Sequence, residues 1–202
     1  MNATATAGRR RYRQTTRAES AKATGERILD AATNLFWVSP THKVSLDEVA
    51  QDAGVTVQTV IRRFGGKEGL ASACMQRAFD RITSQRDQAA PGNLEGAVAN
   101  LVEHYEENGA RSLRLLAEEA EGPPELQAIT EAGRRYHRDW CARVFAGALE
   151  SLMGVGRERR LAQLVAICDI YTWKLLRVDS GLSRRQTELA IVELLEPLVE
   201  DE

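Results

Sequence analysis

The sequence predicts an all-α protein of about nine helices, on three observations. The stretch Ser45–Phe64, SLDEVAQDAGVTVQTVIRRF, carries the caps, apolar spacing and glycine turn of two short helices in tandem. Apolar residues recur at helical spacing through most of the chain beyond Phe64. Only five prolines interrupt the 202 residues, and no sustained apolar–polar alternation marks a strand. Three segments are expected: a basic arm over 1–23, a small three-helix domain over 24–66, and a larger helical body over 67–202.

Residues 1–23 are polar and then arginine-rich, with Arg9, Arg10, Arg11, Arg13 and Arg17. Such a segment buries too little apolar surface to order itself, so disorder is expected. It reads either as a solubilising tail or as an arm that tracks phosphates or enters a minor groove. From Thr24 to Trp37, Ile28, Ala31, Ala32, Leu35 and Phe36 form a helical stripe, ended by Ser39-Pro40.

Ser45 and Glu48 form a capping box, with Val44 placed to staple the entry. Leu46, Val49 and Ala50 then share a face. Gly54 stops that helix where only glycine takes the left-handed conformation cheaply. Thr56 caps the next helix, in which Val60 and Phe64 point inward and Val57, Gln58, Thr59, Arg62 and Arg63 are expected outside. This is a helix-turn-helix. Gln58 and Arg62 are one turn apart, and their side chains suit adenine and guanine edges in a major groove.

Gly65-Gly66 breaks the chain, and Lys67 to about Gln88 reads as a helix through Leu70, Cys74, Ala78 and Ile82. Lys67 at its start is suited to a phosphate. Leu94, Val98, Leu101, Val102 and Tyr105 make the next stripe, expected to end at Asn108-Gly109, with a short helix over Arg111–Ala120. A long helix is expected from Glu125 to about Leu152, with Leu126, Ile129, Gly133, Tyr136, Trp140 and Val144 inward. Another is expected over Arg157–Val178. Ser183 and Gln186 form a second capping box, opening a last helix to about Val199.

The stretch Gly54–Leu70, GVTVQTVIRRFGGKEGL, resembles the signature of the TetR family of bacterial transcriptional regulators, in Gly54, Val55, Thr56, Thr59, Phe64, Lys67, Glu68 and Leu70. One position departs: Ile61 stands where the family usually has a phosphate-contacting Tyr. The resemblance implies a DNA-binding domain followed by a regulatory and dimerisation domain, a homodimer through 157–199, and a pseudo-palindromic double-stranded DNA operator. It implies base contacts from Val57, Gln58, Arg62 and Arg63, and phosphate contacts from Ser45, Thr56, Thr59 and Lys67. It also implies a small-molecule ligand in the body, for which Leu101, Tyr105, Leu116, Tyr136, Trp140 and Tyr171 are candidate lining residues. Plain core packing is the simpler explanation of the same six residues. A repressor released by ligand is the expected activity.

Charge distribution agrees. The formal net charge is −2, but through Arg86 the chain has 14 Lys+Arg against 8 Asp+Glu, and beyond it 13 against 21. A cationic half that coincides with the helix-turn-helix is the footprint of a DNA-facing domain. A sequence-independent architectural DNA binder is the nearest alternative, resting on phosphate contacts alone. A helical enzyme is a weaker one, because no nucleophile elbow, phosphate-cradling loop or HExxH motif occurs. His137 and Cys141 share a helical face, yet two residues fall short of a zinc ligand set, so neither metal nor cofactor is expected. Cys74, Cys141 and Cys168 read as reduced thiols. With no apolar stretch of membrane-spanning length and no secretory pattern at the N-terminus, a cytoplasmic protein is expected.

Overall fold

The computed structural model describes residues 3–38, 43–121 and 124–199, which are mostly helical with no strand among them. They fall into two compact units, the first ending at Asp80 and the second beginning at Arg81. That division lies inside a helix rather than at Gly66.

In the first unit, α1 spans Ala3–Val38, α2 Leu46–Asp52 and α3 Val57–Phe64, and α4 starts at Lys67 and runs to Arg86. The expectation of disorder up to Ala23 is corrected: α1 already begins at Ala3. Propagating a helix costs far less than nucleating one, and this segment is rich in Ala and Arg and free of proline. The side chains of Arg9–Arg17 lie outside the described residues. The core joins Ile28 and Ala32 of α1, Val44, Val49 of α2, Val60 of α3, and Leu70 and Cys74 of α4. Val44 is buried there, as expected of a staple. Arg77 of α4 donates to Asp30 at 2.8 Å and to Thr33 at 2.9 Å, which sets α4 against α1. Asp30 and Glu26, the second carboxylate that Arg77 meets, are both exposed, so these bonds fix register more than they stabilise.

In the second unit, α5 spans Leu94–Glu118, α6 Pro124–Val144, α7 Gly147–Glu150, α8 Gly154–Ile167, α9 Ile170–Trp173 and α10 Arg184–Val199. Three expected boundaries move. Helix α5 runs straight through Asn108-Gly109, because Gly109 is buried against the Trp173 indole, where a Cβ would come within 2.6 Å of the ring. Glycine there permits close approach instead of ending the helix. The long helix expected to reach Leu152 stops at Val144, and Gly133, expected inward, is exposed.

The helix expected over Arg157–Val178 breaks at Cys168-Asp169. The Cys168 carbonyl accepts from the Tyr105 hydroxyl at 2.8 Å, and the Asp169 carboxylate caps α9 through the Tyr171 N–H at 2.9 Å. Beyond α9 the chain continues as a π-helix over Lys174–Asp179. Ser183 and Gln186 close the second capping box as expected.

Trp140, Leu101, Leu149, Leu164, Ile191 and Leu195 are the largest side chains fully enclosed in this unit. Cys74, Cys141 and Cys168 are buried thiols. No helix among the described residues is long and apolar enough to cross a membrane.

His104 is buried on α5, and its pKa is pushed down to about 3, first by burial and then by the nearby charges of Arg86 and His137. Its unfolded value is about 6.5. Stability is therefore complete above that value and falls as pH drops below it, because the unfolded chain gains a proton that the folded one refuses. His104→Asn is expected to flatten the loss of melting temperature between about pH 6.5 and pH 4, measured by circular dichroism. An unchanged acid slope would mean that other groups carry it.

Candidate nucleic-acid interface

Helix α3 is held at both ends. Thr56 Oγ1 accepts from the Thr59 N–H at 3.3 Å and lies 2.9 Å from Thr59 Oγ1. Gly65 closes the other end at φ +80°, donating to the Ile61 carbonyl at 2.8 Å. Gly54, at φ +64°, makes the turn from α2. These two glycines occupy left-handed conformations that other residues adopt at a cost. An N-terminal cap such as Thr56 contributes about 0.5–2 kcal/mol, which matters for a helix of only eight residues.

Successive residues turn by about 100° around a helix, so Val57, Val60 and Phe64 fall together and Gln58 and Arg62 fall opposite. Val60 is fully buried, and Val57 and Phe64 are half-buried against the same core. The expectation that Val57 lies outside is corrected, and the wheel spacing gives the reason, since it groups Val57 with Val60 and Phe64. Gln58, Ile61, Arg62 and Arg63 are exposed, Ile61 at 39%. An exposed isoleucine is consistent with its departure from the usual Tyr, since the side chain there points away from the core.

Arg62 and Arg63 differ in setting. The Arg63 guanidinium lies over Gly25 of α1, where a Cβ would sit 2.3 Å from its nitrogens, and also over the Phe64 ring at 5.9 Å. Arg63 is thus engaged with its own unit. Arg62, Thr59 and Arg63 line one wall of a cleft of about 460 Å³, and Ser20, Ala21 and Thr24 of α1 line the other. Nothing in the sequence pairs Gly25 with Arg63, because the contact is long-range.

Ser45 Oγ donates to Glu48 Oε2 at 2.8 Å and accepts from the Glu48 N–H at 3.2 Å, so its hydroxyl completes the capping box internally. The Glu48 carboxyl is held below its ordinary value, chiefly by the Ser45 backbone N–H, then by its hydroxyl, with help from the charge of Lys67. Lys67 is half-buried at the start of α4. The backbone of α4 packs closely there: a Cβ on Gly69 would sit 1.8 Å from the Phe64 carbonyl oxygen.

Five of the six candidate pocket residues belong to one cluster, and Tyr171 lies off it. Leu101, Tyr105 and Trp140 are buried in the core of the second unit, and Leu116 and Tyr136 pack partly against it. The Tyr136 hydroxyl donates to Asp87 at 2.9 Å. Tyr171 is 53% exposed and faces away from that core. Asp169, which caps α9 at the neighbouring Tyr171 N–H, starts a new helix and turns Tyr171 off the expected stripe.

Residues 28–74, from the middle of α1 into α4, match the family described as bacterial regulatory proteins, tetR family. Over those residues the chain is similar to the TetR family. The chain is 30% identical over 103 residues to the HTH-type transcriptional regulator AlkX of Mycobacterium tuberculosis. The match takes in 51% of the chain and 46% of AlkX, so it spans about half of that relative's length. Among solved structures, a tetR-family transcriptional regulator from Streptomyces coelicolor superposes with a TM-score of 0.64 at 20% identity, over 88% of this chain and 80% of the other. A SmeT–triclosan complex gives 0.66 at 19%, over 89% and 93%. At these identities the superpositions establish the shared fold.

Proposed function

We propose that this chain is a TetR-family regulator: a ligand-responsive, sequence-specific DNA-binding transcriptional regulator, acting as a repressor released by a small molecule. The observation that carries this reading is the capped helix α3, which presents Gln58 and Arg62 one turn apart on its exposed side. Their side chains match adenine and guanine edges in a major groove. Arg62 is the base-reading cation, Lys67 and Thr56 serve phosphates, and Arg63 supports α3 against α1.

A single short helix reads few base pairs, so two copies on a pseudo-palindromic site are proposed. The dimer surface is assigned to 157–199. Leu175, Val178, Leu189 and Leu194 are each about half exposed there, a density of apolar side chains typical of a covered face. The SmeT structure holds triclosan, which supports a small-molecule effector for a fold of this kind. The effector works by binding one of two existing arrangements more tightly, and release of DNA measures that difference.

The test is a footprint of the purified protein on DNA flanking its own gene, with Arg62→Ala alongside. A protected palindrome is expected. Arg62→Ala should relax base preference at one position per half-site by about 1–3 kcal/mol. Lys67→Ala should weaken all sequences alike and flatten the salt dependence. Salt-sensitive binding without a footprint would replace this reading with the architectural one. A monomer in sedimentation at micromolar concentration would remove the palindrome.

A further inference from the structure

Arg86, the last residue of α4, is only 3% exposed, and its guanidinium is unpaired on one whole edge. Nη1 donates to His137 Nδ1 at 3.2 Å. That imidazole therefore accepts at Nδ1 and uses its other nitrogen, Nε2, to donate to the Val165 carbonyl at 3.2 Å. The two nitrogens of the opposite edge, Nε and Nη2, are buried and have no hydrogen-bond partner. No carboxylate among the described residues pairs with Arg86. The adjacent Asp87 is taken by Arg143 and by the Tyr136 hydroxyl.

The surroundings hold this edge in place. The guanidinium lies 4.1 Å above the centre of the Trp140 ring and 5.8 Å from that of Tyr136. Trp140 is itself anchored, donating from Nε1 to the Arg86 carbonyl at 2.9 Å. The aromatic faces and the C-terminal end of α4 offset part of the charge. Neither supplies an acceptor to Nε and Nη2. An arginine stays protonated, so its burial without an anion is a standing cost that a ligand could remove.

We infer that the Nε–Nη2 edge of Arg86 is the anchor for a carboxylate-bearing small molecule with an apolar body, bound inside the second unit beside Trp140. Two parallel N–H groups in one plane match the two oxygens of a carboxylate. The apolar body follows from the Trp140 and Tyr136 rings beside the guanidinium, in keeping with ligand sites that are apolar with few polar anchors. This inference rests on the ligand-responsive reading above and names the chemistry of its effector. Arg86 also ends α4, the helix whose first turns carry Lys67 and Leu70.

The test titrates the full-length protein with acetate and, separately, with acetamide, its uncharged isostere, following the Arg86 Nε–H resonance by NMR. The resonance is assigned by its loss in Arg86→Met. Acetate is expected to shift it saturably and acetamide to leave it in place. Acetate should raise the melting temperature of the wild type by a few degrees and leave Arg86→Met unchanged. Without acetate, Arg86→Met should melt no lower than wild type, because it removes a buried charge that lacks an acceptor. Equal responses to acetate and acetamide, or no saturable shift, would overturn the anchor. So would an Arg86→Met variant that melts far lower while wild type ignores acetate, since Arg86 would then be a purely structural cation. DNA anisotropy separates the two readings. Saturable acetate binding with unchanged DNA affinity keeps the anchor and removes the effector role. Absent acetate binding removes the anchor and leaves release by some other ligand standing.

Discussion

Trp140→Ala is expected to destabilise the second unit by about 3–5 kcal/mol, the cost of deleting a large, fully enclosed aromatic side chain. Contacts are lost besides volume, among them the stacking of the indole on the His137 ring. The indole N–H bond to the Arg86 carbonyl disappears, leaving that carbonyl with the Ala89 N–H as its partner at the end of α4. The edge-on contact with Phe145, at 6.0 Å and 88°, goes with it. So does the face on which the Arg86 guanidinium rests. Trp140→Phe should cost less, because it keeps most of the filled volume and removes mainly the N–H. Urea unfolding followed by far-ultraviolet circular dichroism measures both. A domain of this kind has about 5–15 kcal/mol in total, so the alanine variant consumes a large share of it. A loss under about 1 kcal/mol would show that the site collapses freely, contrary to a close-packed interior.

Leu70→Ala is expected to abolish operator binding although Leu70 touches no DNA in the proposed arrangement. Leu70 is fully buried between α4 and the other three helices of the first unit, in one cluster with Ile28, Val49 and Val60. Its truncation should cost about 2–5 kcal/mol. A unit this small has little stability to lose, and α3, only eight residues long, does not persist once Val60 loses its core. The readout is a pair of measurements: thermal unfolding, in which the first unit melts earlier, and DNA anisotropy, in which affinity falls for every sequence alike. Arg62→Ala makes the contrast, since it should keep the melting temperature and change base preference. If Leu70→Ala bound its operator with wild-type affinity, α3 would not depend on that core.

The local elements of the first unit are legible in the sequence because their causes are local. The capping box at Ser45–Glu48, the left-handed Gly54 and Gly65, the Thr56 cap and the burial of Val60 are all decided within a few residues, and the structure holds each one. Val57 is the exception in α3: it packs inward, as its spacing from Val60 and Phe64 requires, and not outward with its polar neighbours. In the second unit, asparagine and glycine at 108–109 look like a helix end, and the structure makes Gly109 the space for Trp173. The break at Cys168-Asp169 depends on a hydroxyl from Tyr105, 63 residues earlier. No helical periodicity carries that information.

By itself, the sequence determined the all-helical class, the helix-turn-helix with its exposed Gln58 and Arg62, and the basic character of the N-terminal half. Helical spacing, caps and charge are properties of short stretches and survive without knowledge of the fold. Only the tertiary structure decided that Arg63 leans on Gly25, that Tyr171 faces outward, and that Arg86 is enclosed with one edge unpaired. Arg86 on its own reads as one more cation near a helix end. Its meaning comes from His137 and Trp140, 51 and 54 residues away in sequence, whose packing removes water from the guanidinium without supplying an anion in its place.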